Sequence, residues 1–285
     1  MVSMNRLSVS DRARVIATLV EGNSIRSTVR LTGVAKNTVT KLIVEMGNAC
    51  VDFHDARVRN LKSKRVQCDE IWSFVGAKQR NATEEQKAQG WGDAWTWTAI
   101  DADSKLMVSW FVGQRDAETA RIFMHDAASR ITNRIQITTD GLGVYLSAIE
   151  DAFGDVDYAI LNKIYTGAGA GKTSSGRYSP AKFMGATRVT VKGNPDAGHI
   201  STSFVERSNL TMRMHMRRFT RLTNGFSKKL ENHSHAVALF FTYYNFCKVH
   251  QTLRVTPAME AGLSDHVWSI EELVGLLESV PKQAA

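Results

Sequence analysis

The sequence predicts an α/β protein, a mixed β-sheet flanked by helices and preceded by a small all-α unit. Three observations predict it. From Val66 onward, short apolar runs with the two-residue period of strands alternate with segments of helical period. Before Val66 the period is helical, interrupted by glycine turns. Hydrophobic residues are 43% of 285, enough for one sizeable core and an accessory unit.

The first unit is expected over residues 1–53. Its first helix begins near Ser10-Asp11, where either residue can cap, and turns Val15, Ile16, Leu19 and Val20 to one side before Gly22. A second helix is expected from about Ser24 to Leu31. Thr32-Gly33-Val34 makes a tight turn, and a third helix starts near Ala35-Lys36 with Val39, Leu42 and Ile43 inward. Helix, glycine turn and helix at this spacing form the helix-turn-helix pattern. The outward side of the third helix would show Lys36, Asn37, Thr38, Thr40 and Lys41. Lysine and threonine suit phosphates, and asparagine can read an adenine edge. The stretch HDARVRNLKSKR, residues 54–65, follows as a basic linker able to track a DNA backbone.

The main unit is expected over residues 66–223. VQCDEIWSFV reads as a strand, and WTWTAIDADSKLMVSWFVG as a hairpin turning at DADSK. DAETARIFMHDAASRI has helical period, with Ile122, Phe123 and Ala127 expected inward. RIQITTDG is a short buried strand ending in Asp140, VYLSAIEDAF a helix and VDYAILNKIY a fifth strand. An insertion over about 166–200 comes next, then a long helix from near Ser203. Residues 224–285 form a helical extension. Three antiparallel strands followed by crossovers give a mixed sheet with helices on both faces, in the element order of the ribonuclease H-like fold.

The charges name a partner class. The net charge is +8. Residues 1–65 hold 12 Lys/Arg against 5 Asp/Glu, and residues 203–230 hold 7 against one. Two basic zones on a mildly acidic body point to two contacts with a polyanion, DNA by the usual reckoning. Arg207, Asn209, Arg213, Arg217, Arg218, Arg221, Lys228 and Lys229 make the second zone a basic stripe. Three scattered cysteines form no disulfide framework, no apolar leader opens the chain, and AVALFFTYYNF is shorter than the about 20 residues of a membrane span. A reduced, cytoplasmic, nucleoid-associated protein with no membrane contact is expected.

One stretch imitates a nucleotide site. GAGAGKTS, Gly167 to Ser174, approaches the phosphate-binding pattern G-x-x-x-x-G-K-[ST]. The left-hand glycine would stand at 166, where the chain has Thr166, and the SSGRYSP that follows is loop chemistry rather than a helix start. ATP is therefore not expected. Lys172 is expected to meet DNA phosphates instead.

The acids carry the chemistry. Asp69 lies inside an apolar strand, Asp140 ends another beside Gly141, and Glu206 lies early in the last helix amid positive charge. Buried acids are rare unless paired or metal-bound. Carboxylates gathered together repel, and persist where a cation sits among them. Oxygen ligands suit Mg²⁺ or Mn²⁺, and two such ions can drive phosphoryl transfer on nucleic acid. Glu70 competes with Asp69, but strand alternation turns its side chain to the other face. His233, His235, Cys247 and His250 offer a zinc alternative with loose spacing.

CDEIWSFVGAK, TTDGLGVY, FVERSNLTMRMHMRRFTRLTNGFSKK and YYNFCKVHQTLRVTPA together resemble DDE transposases of the insertion-sequence-one family. The likeness runs from 66 to about 261, and a helix-turn-helix ahead of it fits. It implies a DDE triad of Asp69, Asp140 and Glu206 holding two divalent ions, and an Asn245/His250 motif near the DNA. It implies cleavage at the terminal inverted repeats of an insertion sequence, joining of 3′ ends to target DNA, and a homodimer or larger assembly. Two departures stand out. Some members carry an N-terminal zinc-binding cysteine cluster that this chain lacks, and the gap from Asp140 to Glu206 is longer than in retroviral-type integrases. A nuclease that cuts without joining and a DNA-binding regulator with decayed catalysis are the rival readings.

Overall fold

The computed structural model describes residues 7–165, 182–220 and 224–279. Its chain order begins with α1 (Val9–Val20), α2 (Ile25–Thr32) and α3 (Lys36–Arg57). β1 (Arg65–Val75), α4 (Glu84–Ala88), β2 (Gly92–Asp101), β3 (Met107–Gly113) and α5 (Ala117–Arg130) follow. Then come β4 (Gln136–Thr139), α6 (Val144–Ala152), β5 (Asp157–Tyr165) and β6 (Phe183–Lys192). The chain continues with α7 (Ser203–His215), α8 (Leu230–Phe246), α9 (Pro257–Glu260) and α10 (Ile270–Ser279).

Local chemistry starts these helices where it should. Ser8 and Ser24 cap α1 and α2 by accepting from Asp11 N and Ser27 N, and Gly33 ends α2 at φ 74°. Asp116 caps α5 through Thr119 N, and Thr83 with Gln86 forms a capping box on α4. The strands assemble one six-stranded sheet in the order β3-β2-β1-β4-β5-β6. β1–β2, β2–β3 and β5–β6 are antiparallel, whereas β1–β4 and β4–β5 are parallel. This mixed sheet flanked by helices is compatible with a ribonuclease H-like layout, and it makes the first and fourth strands neighbours.

Helices cover both sheet faces. On one face α5 and α6 pack Phe123, Met124, Tyr145 and Ile149 against Val66, Cys68, Trp97 and Ile137. On the other, α7 and α8 pack Val205, Met212, Phe240 and Phe241 against Ile71, Ile100 and Met107. A further core joins α1 and α3 to α8 and α10 through Ile16, Val39, Met46, Leu239, Leu273 and Val274.

Four expectations are corrected. The insertion is not all loop, because Phe183–Lys192 pairs along β5 as an outer strand. α3 runs to Arg57, so the expected linker is in part helix, and His54 inside it is buried with Nε2 donating to the Val108 carbonyl at 2.9 Å. The last catalytic-unit helix stops at His215, and Arg217–Phe219 forms a separate 3-10 turn. Ile122 faces solvent, while its neighbours Phe123 and Met124 fill the core. Among the described residues, no helix is long and apolar enough to cross a membrane.

Candidate active site

β1 turns successive side chains to opposite faces, as alternation requires. Gln67 and Asp69 face α7, and Glu70 faces α5 and α6. The Gln67 Oε1 accepts from Phe204 N at 2.8 Å and Val205 N at 3.2 Å, satisfying two of the free N–H groups in the first turn of α7. That bond seats the helix on β1. One turn further, Asn209 Nδ2 donates to Asp69 Oδ2 at 2.7 Å.

Asp140 arrives from the neighbouring strand. β4 pairs with β1 from Arg65↔Gln136 to Gln67↔Thr138 and ends at Thr139. Extending that register sets Asp140 level with Asp69, on an edge of β1 that no strand covers. The Asp140 Oδ1 accepts from Leu142 N at 2.9 Å, fixing the carboxylate over the turn. A Cβ at Gly141 would stand 2.2 Å from the Asn162 Oδ1, so that side chain would have to turn aside to admit one.

Because the edge of β1 is open, side chains from its two faces meet. Carboxylate oxygens of Asp69, Glu70 and Asp140 lie within 4.8 Å of one another. Glu70 is gripped from behind: Arg115 donates to its Oε1 through Nε at 2.8 Å and Nη2 at 2.5 Å, and Tyr145 OH donates to Oε2 at 3.1 Å. The Arg115 guanidinium also lies over the Trp95 ring, 4.8 Å from its centroid. Glu206 is not within that cluster. It accepts from Thr202 Oγ1 at 2.6 Å and forms an ion pair with Lys163 of β5.

The electrostatics follow from burial and like charge. Burial, then Glu70 and Asp140, and last Glu206 push the Asp69 carboxyl up to about 7, against a backbone hydrogen bond that lowers it. Burial and Asp140 likewise raise Glu70, with Arg115 opposing. Burial and the nearby carboxylates hold the Tyr145 phenol well above its usual range. The site is thus a pocket of incompletely compensated negative charge lined by hard oxygen donors. The Asn209 Oδ1 is also buried and has no hydrogen-bond partner among the described residues. This donor set fits Mg²⁺ or Mn²⁺.

The expected DNA-contacting residues divide. Lys36, Asn37, Thr38 and Lys41 are exposed on the first turns of α3, with Lys41 3.6 Å from Glu45. Thr40 is half-buried and donates back to the Lys36 carbonyl at 3.0 Å. Arg207, Arg217, Lys228 and Lys229 are exposed, and Arg213 is half-buried. Arg217 does not share a helical face with Glu206, since α7 has already ended. Lys172 and Arg221 lie outside the described residues.

Two of the set, Asn209 and Asn245, are interior, and a third, Arg218, is half-buried and bonded inward. Asn209 is 4% exposed and serves Asp69. Asn245 is fully buried and exchanges both amide bonds with the Met107 backbone, at 2.9 and 3.0 Å. Arg218 donates to Ser227 Oγ and the Asn232 carbonyl, and burial lowers its pKa to about 10. His250 is half-buried, with its titration lowered by burial and by Lys105 and Arg207. The zinc alternative is not assembled. His233 has both ring nitrogens engaged by Ser73 and Ser227, and the metal-ligating cluster among the described residues is the carboxylate group alone.

Sequence reasoning missed Arg115, Tyr145 and Lys163. Each contacts the acids from an element distant in the chain, so no local pattern marks them. Glu70 was visible as Asp69's neighbour, but its reach around the strand edge depends on where β4 stops.

No protein-family model matches the chain, and no curated protein matches it. A solved structure that matches is the piggyBac transposase synaptic complex with hairpin DNA. The two share 10% identity at a TM-score of 0.38, over 95% of this chain and 70% of that one. A likeness at that level supports no assignment.

Proposed function

We propose that the chain is a metal-dependent DNA transposase, which cuts at the ends of an insertion sequence and transfers 3′ ends into target DNA. The observation that carries this reading is the meeting of Asp69 and Asp140. They come from separate strands, stand level across an uncovered strand edge, and reach the same space with Glu70. Glu206, the third acid of the DDE resemblance, stands one turn into the helix that Gln67 seats over that space. Four motifs in order, from CDEIWSFVGAK to YYNFCKVHQTLRVTPA, support the same family.

Asp69 and Asp140 would hold Mg²⁺ or Mn²⁺, two ions by the resemblance. When bound, such ions polarise a phosphodiester and stabilise its leaving oxygen. The remaining work belongs to the chain. Asn209 keeps Asp69 oriented. Lys163 offers an ammonium to a phosphate oxygen at the rim beside Glu206. The exposed Lys36, Asn37, Thr38 and Lys41 present a helix end of the kind that enters a major groove. Arg207, Lys228 and Lys229 extend the positive surface for a backbone. Two element ends must be held together, so the working assembly is a homodimer or larger.

The test is transposition from a plasmid carrying the gene with its native flanks, native protein against Asp140→Asn. Asparagine keeps the volume and removes the charge. New insertions that vanish with the substitution are expected. Cut ends without joined product in a purified reaction would replace transposase with nuclease. Equal behaviour of both proteins would move the reading to a DNA-binding regulator.

A further inference from the structure

We infer that Glu70 is a metal-holding residue, and that the cation site is built on Asp69, Glu70 and Asp140 with the Asn209 amide oxygen, Glu206 contributing little to the ion's affinity. The inference rests on the metal-dependent reading above and concerns which residues take the ion.

Alternation alone would keep Glu70 away from Asp69. The fold defeats alternation because β4 ends at Thr139, one residue short of covering β1 at that level. Glu70 then reaches the open edge from the α6 side, Asp69 from the α7 side, and Asp140 lies between. Arg115 occupies Glu70 Oε1 with two nitrogens, while Oε2 meets only the Tyr145 hydroxyl at 3.1 Å. An ionised carboxylate oxygen accepts more than one contact, so Oε2 keeps lone pairs for a cation. Arg115 and Tyr145 are positioning residues in this account.

A second observation points to the same ion. Asn209 is 4% exposed, its Nδ2 is on Asp69, and its Oδ1 is buried with no donor among the described residues. A buried carbonyl oxygen left unsatisfied is costly and uncommon in a folded chain. A divalent cation beside Asp69 would satisfy it, since amide oxygens are ordinary ligands for hard ions. The charges agree. Once all three are ionised, the carboxylates against the one Arg115 guanidinium leave two negative charges, the complement of one divalent ion. Glu206 lies outside the group of carboxylates that share this space, and its Oε1 takes the Lys163 ammonium and the Thr202 hydroxyl.

The experiment is Mn²⁺ titration into the full chain, read as free Mn²⁺ by electron paramagnetic resonance. Native protein, Asp140→Asn, Glu70→Gln, Glu70→Asp and Glu206→Gln are compared, each checked for a cooperative melt. Expected are loss of binding in Asp140→Asn, about tenfold or more weakening in Glu70→Gln, and less than about threefold in Glu206→Gln. Glu70→Asp keeps the charge, pulls the carboxylate back by one methylene, and is expected between native and Glu70→Gln. It decides the matter alone if Glu70→Gln does not fold. Glu70 variants that fold and bind like native protein, while Asp140→Asn does not bind, would overturn the role of Glu70 and leave the metal reading standing. Weakening in Glu206→Gln equal to that in Glu70→Gln would overturn the exclusion of Glu206. A native protein that takes up no Mn²⁺ would remove the metal reading and this inference together.

Discussion

His233 shows how a single residue is fixed by its neighbours. Arg218 donates to Ser227, whose hydroxyl faces His233 Nδ1 at 2.9 Å, while Nε2 faces Ser73, which itself donates to the Ala94 carbonyl. That chain demands a neutral ring with its proton on Nε2. Burial and Arg218 accordingly push the His233 pKa down to about 3, and burial and Arg130 do the same to His54. Both would take a proton near 6.5 once unfolded. Between about 3 and 6.5 the unfolded chain therefore binds more protons than the folded one, and stability falls as pH falls. Each histidine contributes up to about 3 kcal/mol to that loss by pH 4, while the raised Asp69 and Glu70 carboxyls work the other way over the same range, so the histidine share is read as the difference between variant and native urea midpoints. His233→Gln and His54→Gln should start lower at pH 8 and decline less steeply. A variant-minus-native difference that does not change between pH 7 and 4.5 would contradict the assignment. Three residues expected at the DNA make their bonds toward the protein instead. Arg218, Asn209 and Asn245 have the side chains of DNA contacts, and composition cannot tell a donor aimed at solvent from one aimed inward.

At the scale of elements, two close approaches set the architecture. α3 crosses α8 at Gly47, where a Cβ would stand 2.3 Å from the His235 Cβ and 2.6 Å from its Cα. Because backbone is involved, the helices must separate to admit even a methyl. Gly47→Ala is expected to cost about 1–3 kcal/mol in thermal unfolding, though alanine favours helix in isolation. The second approach is α7 on β1. Gln67→Leu removes the acceptor from two N–H groups and is expected to cost about 1–3 kcal/mol. It should also lower transposition more than that loss explains, because α7 carries Asn209 and Glu206. Equal losses in stability and activity would make Gln67 merely structural. The starts of most elements were legible, since caps and period are local. The end of α7 was not: no glycine or proline stops MRMHMRR, and the turn is set by packing of Met216 and Phe219 beneath α8. β6 lies in a stretch that the sequence marks only as an insertion, because its pairing partner, the outer edge of β5, decides it rather than propensity. The meeting of Asp69 and Asp140 was legible from topology, whereas the Lys163 tether on Glu206 is a tertiary contact with no local signature.

Over the whole molecule, the N-terminal helices are part of a common core. The sequence reading made residues 1–53 a unit of their own, because a helical stripe shows which face is apolar and not what covers it. In the structure α1 and α3 bury Ile16, Val39 and Met46 with Ala238, Leu239 and Tyr243 of α8 and Leu273 and Val274 of α10. Polar contacts bind the same seam: Arg12 meets Glu278 at 3.1 Å, and Tyr243 OH donates to Glu21 at 2.6 Å. α8 also lies on the sheet face opposite α5 and α6, so one helix belongs to both cores. Unfolding the N-terminal helices would expose that helix, and unfolding α8 would strip both cores. A single cooperative transition is expected in calorimetry, with Leu273→Ala lowering it as a whole by about 2–5 kcal/mol. A fragment of residues 1–57 should lack a cooperative melt, having lost most of what buries its stripe. If the fragment melts cooperatively, or the full chain shows two transitions of which Leu273→Ala moves one, the N-terminal helices are an independent module. The distinction bears on function. In a shared core, strain from DNA held at α3 would pass through α8 to the elements that carry the acids, whereas an independent module would only tether them.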